Sequence, residues 1–345
     1  MAPATQYELQ PPPEDTVSAL AFAPNSSHLL VSSWSRSVLL YEVNGQDGQG
    51  ALKKKYAHNA PVLDVCYGPN EKVAFSAGMD WQVNRIDLES GELSVLSKHS
   101  EPVRRVVYCP DYSILVSASW DCTLHFHDIN NPTANPLAVS LPGKPQALAA
   151  SATKLVVSMT SRLVLIYDLA AAAKALSSGA ATLEHWQPRE SSLKYLPRAV
   201  SCMPNDAGFA TSSIEGRVAV EWFEPELKDR QYAFKCHRQP EPDSDVVVVY
   251  PVNALVFHPR YGTFATGGGD GHVALWDAEA KRRMKQYHKF PESVAALAFS
   301  PDGRYLAIAT SPGFETGQED HSGEGRTKVF VRELGEAEAK PKGAK

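Results

Sequence analysis

Cysteine is scarce in this sequence. Its 345 residues hold five, Cys66, Cys109, Cys122, Cys202 and Cys236, an odd number, widely spaced and nowhere arranged as CxxC. Such a set argues against a disulfide framework or a zinc site and fits a reducing compartment. No stretch approaches the roughly 18 apolar residues of a membrane-spanning helix. The leading MAPATQYELQPPPED has no apolar core for a secretory signal, so a nuclear or cytosolic location and no membrane association are expected. Without such a signal, the sequon Asn25-Ser26-Ser27 reads as a polar turn. Nor does one sign of charge dominate: 34 Lys plus Arg against 39 Asp plus Glu leave a net charge of −5. No field therefore gathers nucleic acid over the whole surface, direct DNA binding is not expected, and any basic site must be local. Catalytic signatures are missing too, with no GxSxG elbow and no HExxH. The run Gly267–Gly271 lacks the GK[ST] ending of a phosphate loop and reads as a tight turn. His125 and His127 share one face of a strand but have no evident third ligand. The expectation is a protein that is not an enzyme and has no cofactor or metal.

What the sequence does contain is a repeat. Apolar residues make up 43% and charged residues 21% of the chain, enough for a sizeable core. Seven times an alternating apolar segment ends in a Pro, Asn, Asp or Gly turn. The copies are TVSALAFAPN from Thr16, APVLDVCYGPN from Ala60, EPVRRVVYCPD from Glu101, KPQALAASAT from Lys144, LPRAVSCMPN from Leu196, YPVNALVFHP from Tyr250 and ESVAALAFSPD from Glu292. Each is followed by a run ending in small residues, a tight turn and another apolar stretch, such as FATGGGDGHVALWDA. Short period-two strands repeating every ~40 to 50 residues predict an all-β fold, a seven-bladed propeller of four-stranded blades. Tyr41, Ile86, His127, Tyr167, Trp222, Trp276 and Val331 are taken as equivalent ends of the third strands. Asp80, Asp121 and Asp270 recur at equivalent turns, which marks architecture. The stretches from Ala170, Gln239 and Ser311 read as inserted mobile loops. The seventh unit lacks an outer strand, and the spare strand Thr5 to Leu9 should supply it and close the ring. Residues 5–334 are thus expected to form one propeller, with 335–345 as a polar tail.

In such a blade the start of the first strand, the turn between the second and third, and the end of the fourth lie on one end. Trp34, Trp81 and Trp120 all fall in that turn, in blades 1, 2 and 3. With Arg36, Arg104 and Arg105 nearby in sequence they suggest a peptide platform. In the fifth unit Arg198, Arg217 and Lys235 come to the same end, a set suited to a doubly charged anion such as a phosphorylated side chain.

Blocks outside the repeat pattern are more specific. RESSLKY from Arg189, SSIEGRVAVE from Ser212, YAFKCHR from Tyr232 and LAFSPDGRYLAIATS together resemble the family of mitotic-checkpoint WD-repeat propellers that escort the Bub kinases, over essentially the whole chain. The messenger-RNA export propeller that binds a nucleoporin shares the SIEGRVA and FKCHR blocks and usually has a longer leader. The resemblance implies a spindle-checkpoint adaptor in the nucleus and at mitotic kinetochores. Its partners would be a Bub-type checkpoint kinase and its kinase-like paralogue, bound through short acidic motifs, and a kinetochore scaffold with phosphorylated Met-Glu-Leu-Thr repeats. Through the checkpoint complex it would also meet ubiquitin-binding or anaphase-promoting-complex assemblies. By motif match Trp34 and Trp120 would meet the kinase segment, and Arg198, Arg217 and Lys235 the phosphothreonine. Ser35 departs from the acidic residue expected after the first tryptophan, and the Ala170 and Ser311 loops are unusual.

Overall fold

The computed structural model describes residues 6–44, 49–241, 245–313, 325–335 and 337–341. It is a ring of seven four-stranded antiparallel blades. The innermost strands are Val17–Phe22, Val62–Tyr67, Val103–Cys109, Pro145–Ala150, Pro197–Cys202, Val252–Phe257 and Ser293–Phe299, each packed on the next and the last on the first. Apolar side chains leave both faces of every blade, because each blade is sandwiched between two others. The consequence is seven hydrophobic clusters among the described residues, one per blade interface.

The spare N-terminal strand closes the ring. Gln6–Gln10 runs antiparallel to Lys328–Glu333 as the outer strand of blade 7, with Glu8 and Lys328 ion-paired at 2.9 Å. Its last two residues then pair in parallel with Gly50 and Ala51 of blade 1. Leu9, fully buried, occupies the space that a Cβ on Gly50 would fill.

Several connections differ from expectation. The stretch from Ala170 is no mobile loop: Leu169–Ser178 is an α-helix. Alanine has the highest helix propensity, the Asp168 carboxylate caps the start by accepting from Ala171 N–H, and Gly179 ends it in the left-handed region. Leu169, Ala172 and Ala175 join the cluster between blades 3 and 4. The segment from Gln239 lies within a hairpin, Arg238–Pro240 against Val247–Val249, of which residues 242–244 lie outside the described set. Residues 314–324 of the Ser311 segment also lie outside it. Beyond blade 7, the polar tail folds back on the ring. Ala339 is buried, its carbonyl accepts from Thr263 Oγ1, and Glu338 bridges Lys285 and Arg332. Register also moves two of the expected third-strand equivalences. Glu221 rather than Trp222, and Arg332 rather than Val331, pair as Trp276 does in blade 6. Glu221 is buried and matched by Arg189 at 3.3 Å, so an ion pair stands where an aromatic was read.

Two of the recurring aspartates, Asp121 and Asp270, join neighbouring blades. In blade 6 the Trp276 indole can only donate, and it donates to Thr266 Oγ1 at 2.9 Å. The Thr266 hydroxyl then donates to His237 Nε2, leaving His237 Nδ1–H for Asp270 at 2.8 Å. Burial pushes the Asp270 carboxyl up, but the bonds from His237 and the His272 backbone outweigh it and hold it below its ordinary value. Blade 3 repeats the set with His99, Ser117 and Asp121. His125 and His127, weighed above as metal ligands, belong to this packing. His125 stacks on His99 at 3.7 Å, and His125 and His127 both lie near Ser97 Oγ. Among the described residues no group of three His, Cys, Asp or Glu is placed to hold a metal ion.

Two outcomes are expected. Asp270→Ala strands the buried His237 N–H and should cost about 2–3 kcal/mol, read as a lower urea midpoint; a loss under about 0.5 kcal/mol would show that the relay is dispensable. Burial, with neighbouring imidazoles adding, pushes His125 down to about 4 and His127 down to about 3. Unfolding then takes up protons below the ordinary value of about 6.5, so their contribution is complete above that pH and lost as pH falls toward 4 and 3. Urea midpoints from pH 7.5 to 4.5 should fall more steeply for the native protein than for a His125→Asn/His127→Asn double variant. Parallel curves would rule these rings out as the acid-sensitive groups.

Candidate functional site: the channel mouth and the rim of blade 5

The turn between the second and third strands has one geometry in six blades. Its first residue donates its N–H to the carbonyl just ahead of the innermost strand: Trp34 to Thr16, Met79 to Pro61, Trp120 to Pro102, Thr160 to Lys144, Ile214 to Leu196 and Gly269 to Pro251, all at 2.9 to 3.1 Å. Two positions later stands a residue with positive φ: Arg36, Trp81, Cys122, Arg162, Gly216 or Gly271. This register corrects the reading of three equivalent tryptophans. Trp34 and Trp120 match each other, whereas Met79 holds their slot in blade 2 and Trp81 holds the left-handed slot.

The tryptophans differ in what they reach. A cavity of about 1290 Å³ opens at this end of the central channel, and Trp34, Arg36, Arg104, Arg105, Trp120 and Arg198 all line it. Trp81, half exposed, is not part of its wall. The N-terminal crossing from blade 7 to blade 1 contributes Glu14 and Asp15 to the rim. Trp34 offers an indole about half exposed, and Trp120 Nε1 is buried with no hydrogen-bond partner among the described residues.

Arginines crowd the channel wall. Arg105 lies 3.6 Å from Asp64, whose carboxylate also accepts from Val65 and Val106 N–H. Burial raises the Asp64 carboxyl, with Arg105 opposing. Arg104, one residue away, has no carboxylate in ion-pair contact among the described residues. Burial, then the charges of Arg105 and Arg198, disfavour its charged form, and Asp64 only partly offsets them. A guanidinium does not deprotonate under ordinary conditions, so the favourable outcome is to receive an anion. Arg198 is held by Asn253 of blade 6, whose Oδ1 accepts from its Nε at 3.1 Å and Nη2 at 2.8 Å. Asn253 in turn donates to Ser293 of blade 7.

The expected triplet on blade 5 is thereby divided. Arg198, Arg217 and Lys235 do reach the same end of their strands, but Arg198 lines the channel while Arg217 and Lys235 are not part of its wall. Those two are direct cross-strand partners, so their side chains share a face of the blade. Arg217 Nε is 3.4 Å from Glu215 Oε2 without hydrogen-bond geometry, and is buried without a hydrogen-bond partner among the described residues. Arg238, absent from the sequence-based site, donates from Nη2 to the Glu215 carbonyl at 2.9 Å, and its Nε likewise has no hydrogen-bond partner among the described residues. Arg238 closes the YAFKCHR block and opens a hairpin whose next residues, from Gln239, were read as a loop, so nothing in the pattern placed it beside Arg217. Asn253 carried no signal, being one polar residue on an inner strand.

Comparison with known proteins agrees with this architecture. The pattern of the WD domain, G-beta repeat, family matches residues 5–42, 90–128 and 246–277. The mitotic checkpoint protein BUB3.1 of Arabidopsis thaliana is 41% identical, across 99% of this chain and 96% of that protein. Mitotic checkpoint protein bub3 of Dictyostelium discoideum is 36% identical over 95% and 94%. The mRNA export factor GLE2 of Chaetomium thermophilum is 33% identical over 97% and 92%. On full-length identity and a shared propeller, the chain belongs to the Bub3 family of WD-repeat mitotic checkpoint proteins.

Proposed function

We propose that the protein is a non-catalytic spindle-checkpoint adaptor that holds two peptide segments at separate places on one end of the ring. The channel mouth takes a short acidic motif of a Bub-type checkpoint kinase or its kinase-like paralogue. The observation that carries this reading is the chemistry of that cavity left unsatisfied among the described residues: Arg104 without an ion-paired carboxylate, and Trp120 Nε1–H without an acceptor. Carboxylates from a bound segment would meet Arg104 and Arg198, and apolar side chains would cover Trp34 and Trp120. Arg217 and Lys235 read a phosphothreonine in Met-Glu-Leu-Thr repeats of a kinetochore scaffold. The adaptor would thereby bring kinases to kinetochores in mitosis, and through the checkpoint complex meet ubiquitin-binding or anaphase-promoting-complex assemblies.

A second reading has its own support. Identity of 33% to an mRNA export factor over nearly the whole chain favours an export adaptor that binds a nucleoporin segment through the same cavity. Capture from mitotic and interphase extracts separates the two: checkpoint kinases recovered from mitotic extract support the first, and a nucleoporin recovered equally from both supports the second.

Two titrations test the division of labour. A Met-Glu-Leu-phosphothreonine peptide should bind the purified protein more tightly than its unphosphorylated twin, and Arg217→Ala should weaken it by about 1–3 kcal/mol, roughly fivefold to 150-fold. Equal affinity for the twins would sink the phosphate-reading assignment. Trp120→Ala should weaken a kinase-derived segment by about 2 kcal/mol, roughly thirtyfold, and leave the phosphopeptide unmoved. Loss of both together would mean that the two places are one.

A further inference from the structure

Glu215 occupies in blade 5 the turn slot held by Asp80, Asp121 and Asp270 in blades 2, 3 and 6. In blades 3 and 6 the carboxylate there serves a histidine delivered by the preceding blade, His99 or His237. The corresponding residue ahead of blade 5 is Ser191, placed by its N–H bond to the Arg162 carbonyl just as His99 is by its bond to Trp81. Glu215 thus keeps the architectural position without the architectural partner. Oε1 accepts from Lys194 N–H at 3.3 Å, and Oε2 is turned to Arg217. The acid side chain is only 16% exposed. Arg217 faces it, Lys235 is the cross-strand partner of Arg217, and Arg238 donates to the Glu215 backbone carbonyl.

We propose that Glu215 is an internal counter-anion that competes with the incoming phosphate for Arg217 and holds the affinity of the rim site down. The inference rests on the phosphate-reading role of Arg217 and Lys235. A carboxylate and a phosphate cannot both approach one guanidinium in a weakly solvated corner without repelling each other. Because the Nε of Arg217 makes no hydrogen bond to Glu215, capture of a phosphate breaks no hydrogen bond there; what it must overcome is the charge. A site of three cations and one fixed carboxylate binds a dianion less tightly than the cations alone would. Binding of that kind is readily reversed.

Glu215→Gln isolates the charge, because the amide oxygen keeps an acceptor for Lys194 N–H at nearly unchanged volume. Titrated with the Met-Glu-Leu-phosphothreonine peptide at low salt, the variant should bind about fivefold or more tighter than the native protein. The gain should shrink in ~1 M salt, where the screening length falls to about 3 Å. The unphosphorylated twin should not respond, Glu215→Ala should change in the same direction, and on an Arg217→Ala background the gain should vanish. If the native protein discriminates between the twins but Glu215→Gln binds the phosphopeptide equally or less well, the carboxylate is a bystander or a support for Arg217, and the proposal is wrong. If the native protein does not discriminate at all, both this proposal and the rim reading beneath it fall.

Discussion

In six blades the first residue after the second strand gives its N–H to a carbonyl just before the innermost strand, and two residues later the chain enters the left-handed region. That bond ties the turn to the channel wall. Trp34 and Trp120 at the bonded position line the cavity, as does Arg36 at the left-handed one, whereas Trp81 does not. The left-handed slot is tolerated by Arg36, Trp81, Cys122 and Arg162 as well as by Gly216 and Gly271, although a side chain there costs of order 1 kcal/mol or more. A scaffold that binds the turn on both sides can carry that strain, which frees the position for arginine or tryptophan.

Strand number and blade count were legible in the sequence because each rests on a short-range signal repeated seven times, and ring closure because one unit lacked a strand that the N-terminus had to spare. Alternation and turn residues reveal strands, and a period of about 40 to 55 residues reveals blades. Register was less legible. Aligning on aromatics shifted blade 5 by one residue to Trp222, where the fold places Glu221 against Arg189. Two charged residues matched across a blade interface leave no trace in a period-two pattern. The helix at Leu169–Ser178 was missed for a related reason: an alanine run between strands is ambiguous until Asp168 is seen to cap it and Ala172 and Ala175 to find a groove.

For the candidate site, strand direction brought the expected residues to one end of the ring, but it did not give their grouping. Strand direction alone says that Arg198, Arg217 and Lys235 arrive at one level. It does not say how far each stands from the channel axis. Arg198 on the first strand joins Arg104 in the cavity, and Arg217 and Lys235 on the third and fourth strands lie outside it. Two electrostatic environments result. In the channel, guanidiniums are concentrated and undercompensated, a setting for several carboxylates from one segment. On the rim a single dianion would meet cations already shadowed by Glu215 and its ion-pair contact with Arg217.

Closure by Gln6–Gln10 places the partners Glu8 and Lys328 320 positions apart along the chain. On a ribosome that adds roughly 5–20 residues per second, the first strand waits on the order of half a minute before its pairing edge emerges. During that interval a segment with an alternating pattern and no neighbour is exposed to any free sheet edge, including those of its own earlier blades. The two registered residues that tie it in parallel to Gly50 and Ala51 give it a provisional berth on blade 1, available hundreds of residues before the ring can close.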